Sequence, residues 1–222
     1  MLHKTRGIVF RFTRYGETSI IVNIFTELFG LQSYIVNGAR GNSRAAKIAL
    51  FQPLTLLDLV VYHKENASVT RIKEVKCLHP YQSLATDMSK STIAMFLNEV
   101  LNKSVKEQTH TQELCDFLIY SFQQLDVMTK GHENFHLVFL IKLSQYLGFR
   151  PYQANEIIGA GILNEAEETS LTRLLGMEYA DRISITREQR RNLLDLLLRF
   201  YAQHIDQLGE LRSLPVVREI IN

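Results

Sequence analysis

The chain has 222 residues, 46% hydrophobic and 22% charged, which is ample for one large core or two small ones and far from the composition of a disordered segment. Its two cysteines, Cys77 and Cys115, are too few and too isolated for a disulfide framework or a four-thiolate metal site, and they suit a reducing cytoplasm. The formal net charge of +2 hides an asymmetry: residues 1 to 76 hold 11 Lys or Arg against 5 Asp or Glu, net +6, which leaves 14 of the 25 cations against 18 of the 23 acids in the remainder, net −4. Such a split points to a polyanion-binding N-terminal module joined to a module with another task. The opening Met-Leu-His-Lys-Thr-Arg lacks the apolar run of a secretory signal, and no later stretch is apolar for long enough to span a bilayer, so no membrane partner is expected.

In chain order, the first third predicts strands. Gly7 to Thr13 and Thr18 to Thr26 are rich in Ile, Val, Phe and Thr, and Arg14-Tyr15-Gly16-Glu17 supplies a hairpin turn between them. Leu31 to Val36 predicts a third strand, Ala45 to Leu50 one helical turn closed by Pro53, and Leu54 to Tyr62 and Val69 to Cys77 two further strands. Five short strands in about seventy residues suggest a barrel of the oligonucleotide-binding (OB) type, because closing the sheet removes its exposed edges.

Between the third and fourth strands lies Val36-Asn-Gly-Ala-Arg-Gly-Asn-Ser-Arg-Ala-Ala-Lys47, a Gly- and Asn-punctuated loop whose only charges are Arg40, Arg44 and Lys47. The nearest acids along the chain are Glu27 and Asp58, so no sequence neighbour neutralises these cations. A phosphate backbone is the anion that such a loop on a small sheet most commonly meets, and the alternative is a solvated connection with no partner.

Beyond His79-Pro80-Tyr81 the periodicity turns helical. Helices are predicted over Lys90 to Asn102, Thr111 to Leu125 and His132 to Leu147, the last stopped by Gly148 and Pro151. Residues 150–185, broken by Gly159, Gly161 and Gly176, read as an irregular insertion with short helices. The longest helix opens at Thr186 and runs through Leu208, and Leu214 to Ile221 forms a short closing helix. The expected class is therefore α+β, with a five-stranded OB-type barrel over residues 1–78 and an α-helical domain over 79–222.

One motif argues for different chemistry. His132-Glu133-Asn134-Phe135-His136 matches H-E-x-x-H, which within a helix presents two imidazoles to zinc and a glutamate to water, with Glu156 placed as a conceivable third ligand. The alternative function is thus a zinc metallopeptidase. Against it, the motif follows Gly131, where the helix is only beginning. Gly38 and Gly41 are not followed by Lys-Ser or Lys-Thr at phosphate-loop spacing, and neither cysteine sits in a nucleophile motif, so no enzyme, catalytic residue or cofactor is expected.

Arg14-Tyr15-Gly16-Glu17-Thr18-Ser19, Phe25-Thr26-Glu27 to Gly30, Gly38-Ala39-Arg40 and Phe51-Gln52-Pro53-Leu54, in that order, resemble the N-terminal domain of the RecO family of bacterial DNA-repair proteins. Phe135 to Pro151, ending Leu-Gly-Phe-Arg-Pro, and Leu211-Arg212-Ser213-Leu214 continue the likeness. The resemblance implies an OB barrel followed by a helical domain, in a recombination mediator that binds single- and double-stranded DNA and anneals strands. It also implies partnership with RecR and with the C-terminal tail of the single-stranded DNA-binding protein, and through them the loading of RecA. Many members carry a four-cysteine zinc knuckle after the Gly-Phe-x-Pro segment. Tyr152 to Ile185 contains no cysteine here, so no metal is implied, and Ile157, Ile158, Ile162, Leu163, Leu171, Leu174 and Leu175 are expected to pack in its place. Carried over onto this sequence, Arg40 and Arg44 are the expected DNA contacts, with Lys47, Arg14, Arg11, Lys4 and Arg6 added on charge and position. Phe10, Phe12 and Tyr34 are candidate base-stacking platforms, subject to the alternation that turns every second strand residue inward.

Overall fold

The structure, a computed structural model, describes residues 1–39, 48–64, 67–106, 111–159 and 163–221. The chain divides into two compact units, one of Met1–Tyr81 with Val105–Gln123 and one of Gln82–Ser104 with Gln124–Asn222.

In the first unit, strands β1 (Leu2–Tyr15), β2 (Ser19–Thr26), β3 (Gly30–Val36), β4 (Leu56–Tyr62) and β5 (Thr70–His79) form a closed barrel in the order β1-β2-β3-β5-β4. That closure is the OB arrangement expected from the strand count. β1 begins five residues earlier than its apolar run announces, because the polar stretch Leu2 to Arg6 pairs along β4, from Leu2 opposite Tyr62 to Ile8 opposite Leu56. Val9, Val22, Ile24, Tyr34, Leu57, Leu59 and Val61 alternate into the barrel and fill it with Phe51. The turn at Gln52-Pro53-Leu54-Thr55 holds Leu54 at φ 67, in the left-handed region that costs a branched side chain about 1–2 kcal/mol. The conformation is fixed because the Leu54 N–H donates to the Val9 carbonyl at 2.6 Å, while the Leu54 carbonyl accepts from the Tyr81 hydroxyl at 2.9 Å. Ile48 and Ala49 are helical, and the rest of the turn predicted from Ala45 lies outside the described residues.

A second apolar row faces outward on the same barrel. Phe25, Ile8 and Leu56 stand side by side across β2, β1 and β4 and are fully buried, and Phe10 stacks on Phe25 at 5.8 Å. Helix α2 (Thr111–Val127) attaches on this side through its first turns. The Thr111 hydroxyl donates to the Glu27 carbonyl at 2.8 Å, and Asp116 accepts from the Arg6 guanidinium at 2.7 Å.

In the second unit, α1 (Met88–Ser104) buries Ile93, Phe96, Leu97, Val100 and Leu101, the face its spacing predicted. A 3₁₀ turn (His132–Asn134) leads into α3 (Phe135–Tyr146), where seven consecutive residues from Phe135 to Ile141 are buried. A helix buried on every side is a core element, not a surface one. Short helices α4 (Ala154–Ile158) and α5 (Glu165–Leu175) follow, with Ile157, Leu171, Leu174 and Tyr179 buried, so packing does occupy the cysteine-free insertion; Ile162 lies outside the described residues. α6 (Arg187–His204) opens on a capping box of Thr186 and Gln189, and α7 (Leu214–Ile220) closes the chain. The Leu211-Arg212-Ser213-Leu214 motif is the start of α7. Its N–H groups at Arg212 and Ser213 donate to the Glu99 carboxylate at 2.9 and 2.8 Å, as does the Ser213 hydroxyl at 2.5 Å.

Candidate nucleic-acid interface

Cross-strand register sorts the barrel's exposed charges onto distinct faces. On the β1–β4–β5 side one row runs Lys4, Val60, Glu74 and the next Arg6, Asp58, Lys76, so cations and acids alternate, and Lys4 reaches Asp58 at 3.8 Å. That face carries three cations against two acids, so most of its positive charge has an acid in the same or the adjacent row. On the β1–β2–β3–β5 side the rows are Arg11, Asn23, Ser33 and Thr13, Ile21, Ile35, Arg71. These residues point outward because Val22, Ile24, Tyr34 and Val36, their neighbours in sequence, point in. The only charges in these two rows are Arg11 and Arg71, both exposed, and Arg14 and Tyr15 lie exposed at the barrel end where β1 turns into β2. Among the described residues no carboxylate lies within ion-pair distance of Arg11, Arg14 or Arg71. The exposed Glu17 belongs to the turn beyond the rows.

The basic loop leaves β3 at this same end. Val36 pairs with Ile20 at the start of β2, and the Ser19 hydroxyl donates to the Asn37 side-chain oxygen at 3.3 Å. Gly38 takes φ 62, the conformation a glycine accepts without cost, and Ala39 is buried. Arg40, Arg44 and Lys47 themselves lie outside the described residues. Their two nearest acids along the chain are already engaged, Glu27 by Arg6 and Asp58 by Lys4.

Of the remaining sequence candidates, Arg6 is placed differently from the others. Its guanidinium donates to both oxygens of Glu27, at 3.0 and 2.6 Å, and to Asp116 at 2.7 Å. Hydrogen bonding to Glu27 raises the Arg6 pKa and holds the Glu27 carboxyl below its usual range against the opposing effect of burial. A guanidinium held by two carboxylates ties α2 to the barrel and presents little free charge to a phosphate. The stacking candidates are corrected: Phe10 and Tyr34 are fully buried and Phe12 is half-buried against the barrel core, so none offers a face to a base. Arg71, exposed at the end of the row of Thr13, Ile21 and Ile35, is not among the sequence candidates. The nearby thiol of Cys115 is pushed up to about 12 by burial and the Glu27 charge, which leaves it inert near neutrality.

The metallopeptidase alternative fails on geometry. His132 sits in the 3₁₀ turn and His136 in α3, so the pair does not share one regular helix. His136 is fully buried, its pKa pushed down to about 3 by burial and by the Arg190 charge beside it, and a neighbouring guanidinium repels a metal ion as it does a proton. Arg190 is itself fixed by the Asn134 side-chain oxygen at 2.8 Å and the Ile185 carbonyl at 3.1 Å. Glu156 accepts from its own helix start, the N–H groups of Tyr152 and Gln153, and among the described residues no three His, Cys, Asp or Glu side chains converge on a metal-sized site.

A closed five-stranded barrel in the order β1-β2-β3-β5-β4, followed in the chain by a helical unit, is the architecture of the OB-type class of protein. Within that class the family is specific. Residues 1–81 match the family described as recombination protein O N terminal, and residues 85–165 match recombination protein O C terminal. The chain is 33% identical over 242 residues to the DNA repair protein RecO of Bacteroides fragilis, covering 100% of both chains. It is 35% identical over 239 residues to that of Flavobacterium johnsoniae, covering 99% of each, and 31% identical over 241 residues to that of Phocaeicola vulgatus, covering 100% of both. The chain belongs to the RecO family. No helix among the described residues is long and apolar enough to cross a membrane.

Proposed function

We propose that this protein is a non-enzymatic mediator of DNA repair and recombination that binds single- and double-stranded DNA through its barrel and anneals complementary strands. With RecR it helps load RecA onto strands coated by the single-stranded DNA-binding protein, in the cytoplasm and at the nucleoid. The observation that carries the reading is the barrel face whose exposed charges are Arg11 and Arg71, with Arg14 exposed at the end where β3 finishes; Arg40, Arg44 and Lys47, which follow β3 in the sequence, lie outside the described residues. Membership of a family whose relatives are DNA repair proteins agrees with it. Lys4 contributes at the margin, since Asp58 partly neutralises it, and Arg6 is left out of the interface.

The tail of the single-stranded DNA-binding protein is assigned to the helical unit. A cleft of about 230 Å³ there has Phe135, Val138, Met177 and Tyr179 among its walls and the cations Lys130 and Arg182 at its rim. Arg182 rests on Gly131, whose φ is 80 and whose missing Cβ would lie 2.6 Å from the guanidinium. Three acids also line the cleft: Glu178 pairs with Lys142 at 2.6 Å, Asp181 accepts the Glu178 N–H at 2.8 Å, and Glu133 is the third. An apolar wall beside accessible cations suits a short peptide that is acidic and ends in apolar residues. Annealing of complementary oligonucleotides coated with the single-stranded DNA-binding protein tests the whole reading. The full chain is expected to accelerate annealing of coated strands, and no acceleration at low salt would refute the proposal.

A further inference from the structure

The barrel closes through a short seam. β5 joins β3 by two residue pairs, Tyr34 with Thr70 and Ile35 with Arg71, whereas β4 accompanies it from Ile72 to His79. Beyond Arg71, among the described residues, no strand runs along the other side of β5, so that edge presents backbone N–H and C=O groups. Lys73, Glu74, Lys76, Cys77 and Leu78 are all exposed along it, and Val75 is half-buried against the barrel core. Lys73 is the extra residue of a bulge, since Ile72 opposes Val61 and Glu74 opposes Val60. Bulges and lysines are the usual guards of an open edge. Here the guard is incomplete, because Glu74 stands between Lys73 and Lys76, and among the described residues none of the three has an ion-pair partner.

We propose that this edge pairs with the same edge of a second copy of the chain, antiparallel and centred on Val75. Opposed residues of an antiparallel pair keep their side chains on one face of the sheet, so a two-fold pairing must be centred on a residue. The choice of centre decides the charges. With Val75 at the centre, Glu74 of each copy opposes Lys76 of the other, Lys73 opposes Cys77, and Val75 opposes itself. Centring on Glu74 sets two carboxylates against each other, and centring on Lys73 or Lys76 does the same with two ammonium groups. Centring on Cys77 leaves Glu74 and Lys76 without each other. The edge is thus its own complement in one register.

The contact is small. The stretch from Lys73 to Cys77 supplies far fewer residues than the roughly 20–30 a side of a standard interface, so the dimer is weak and forms at high local concentration. It engages none of the cations assigned to DNA above, and it does not rest on that reading.

The first test is disulfide trapping in the full chain. Opposed residues of an antiparallel pair have Cα atoms about 4.5–5.5 Å apart, within the span of a disulfide. In Lys73→Cys the introduced thiol of one copy therefore meets Cys77 of the other, whereas positions 73 and 77 of one chain lie about 13 Å apart along the strand. Cys77 is exposed and Cys115 buried, so Cys77 is the accessible native thiol. Oxidation with diamide at submillimolar protein is expected to give a covalent dimer in Lys73→Cys, but not in the parent or in Lys73→Cys with Cys77→Ser. Sedimentation equilibrium then reads the charges. The mass of the parent is expected to rise with concentration from 25.6 kDa toward twice that value. Glu74→Lys and Lys76→Glu are each expected to weaken association about ten-fold, and together to restore it, because two opposed pairs per dimer change sign. Melting curves confirm that each variant is folded. A parent that stays at 25.6 kDa into the submillimolar range overturns the proposal, and so does a dimer indifferent to both charge reversals, whose contact lies elsewhere. A Lys73→Cys protein that traps no dimer, or traps it equally without Cys77, overturns the pairing centred on Val75.

Discussion

Replacing Arg6 with alanine separates a structural cation from those proposed to bind DNA, although its charge and position in the sequence put them together. The Glu27 carboxylate, with a side chain 18% exposed, receives two charge-assisted hydrogen bonds from a guanidinium that is 36% exposed. A bond of this kind to a charged group contributes about 1.5–3 kcal/mol when buried, and partial exposure of Arg6 discounts it toward the lower end. The arm to Asp116, whose side chain is 49% exposed, adds about 0–1 kcal/mol. The expected loss of stability in Arg6→Ala is about 2 kcal/mol at pH 7, read from urea unfolding followed by circular dichroism. Because Arg6 holds the Glu27 pKa below its unfolded value, this stabilisation is complete above the unfolded carboxyl value of about 4.3 and is lost as pH falls through the lower folded value. The gap between parent and variant should therefore narrow once the pH drops below about 4. In the same samples the salt dependence of DNA binding should match the parent. Unchanged stability together with a slope flattened by about 0.7 would refute the assignment and return Arg6 to the DNA site.

Asp126 is almost fully buried, and its carboxylate accepts from the N–H groups of Gln82, Ser83 and Leu84 at 2.8 to 3.1 Å while its carbonyl accepts from the buried Lys90 ammonium at 2.7 Å. Asp126→Ala strands the three N–H donors while keeping the carbonyl that Lys90 bonds, and should cost about 3–5 kcal/mol by urea unfolding, against about 1 kcal/mol for Ser83→Ala. At Glu99, burial pushes the carboxyl up but the bonds from Ser213 and Arg212 outweigh it, so the folded pKa is lowered. Glu99→Gln should destabilise by about 1–2 kcal/mol at pH 7, and the difference should fade below about pH 4 in a pH series of melts. Treatment with a chelator is expected to leave melting temperature and DNA affinity unchanged, and stoichiometric zinc lost in a His132→Ala, His136→Ala variant would contradict that. Arg182→Glu is expected to weaken binding of a peptide of the single-stranded DNA-binding protein's tail at least ten-fold by isothermal titration, with DNA affinity unaltered.

The strands and long helices were legible because their apolar spacing is strong, and α1 buries the side chains its period selected. The site was legible in part. Arg6 opposes Glu27 only because β1 carries a bulge between Val9 and Arg11; before it Val9 pairs with Ile24, and after it Arg11 pairs with Asn23. An extra residue in one strand shifts every pairing beyond it, and nothing in Val9-Phe10-Arg11 announces that shift. Phe10 is the extra residue, which is why it stacks on Phe25 and does not serve a base. Arg71 escaped for a related reason: it joins the cationic face through a parallel pairing of Ile35 with a strand thirty-six residues later in the chain, a long-range register that no local pattern encodes. The His132–His136 motif misled because spacing alone does not reveal that its second histidine lies in a helix buried on all sides, beside Arg190.

The central claim is that the barrel binds DNA through phosphates at its cationic face and loop. Its most direct test is the salt dependence of single-strand binding for the parent and for Arg40→Ala with Arg44→Ala. About four phosphate contacts give a slope near −2.8, so affinity should fall about fifty-fold between 50 and 200 mM salt. The double variant should flatten the slope by about 1.4, weaken binding to all sequences alike and melt within about 0.5 kcal/mol of the parent's stability. A folded double variant with the parental affinity and slope would contradict the account.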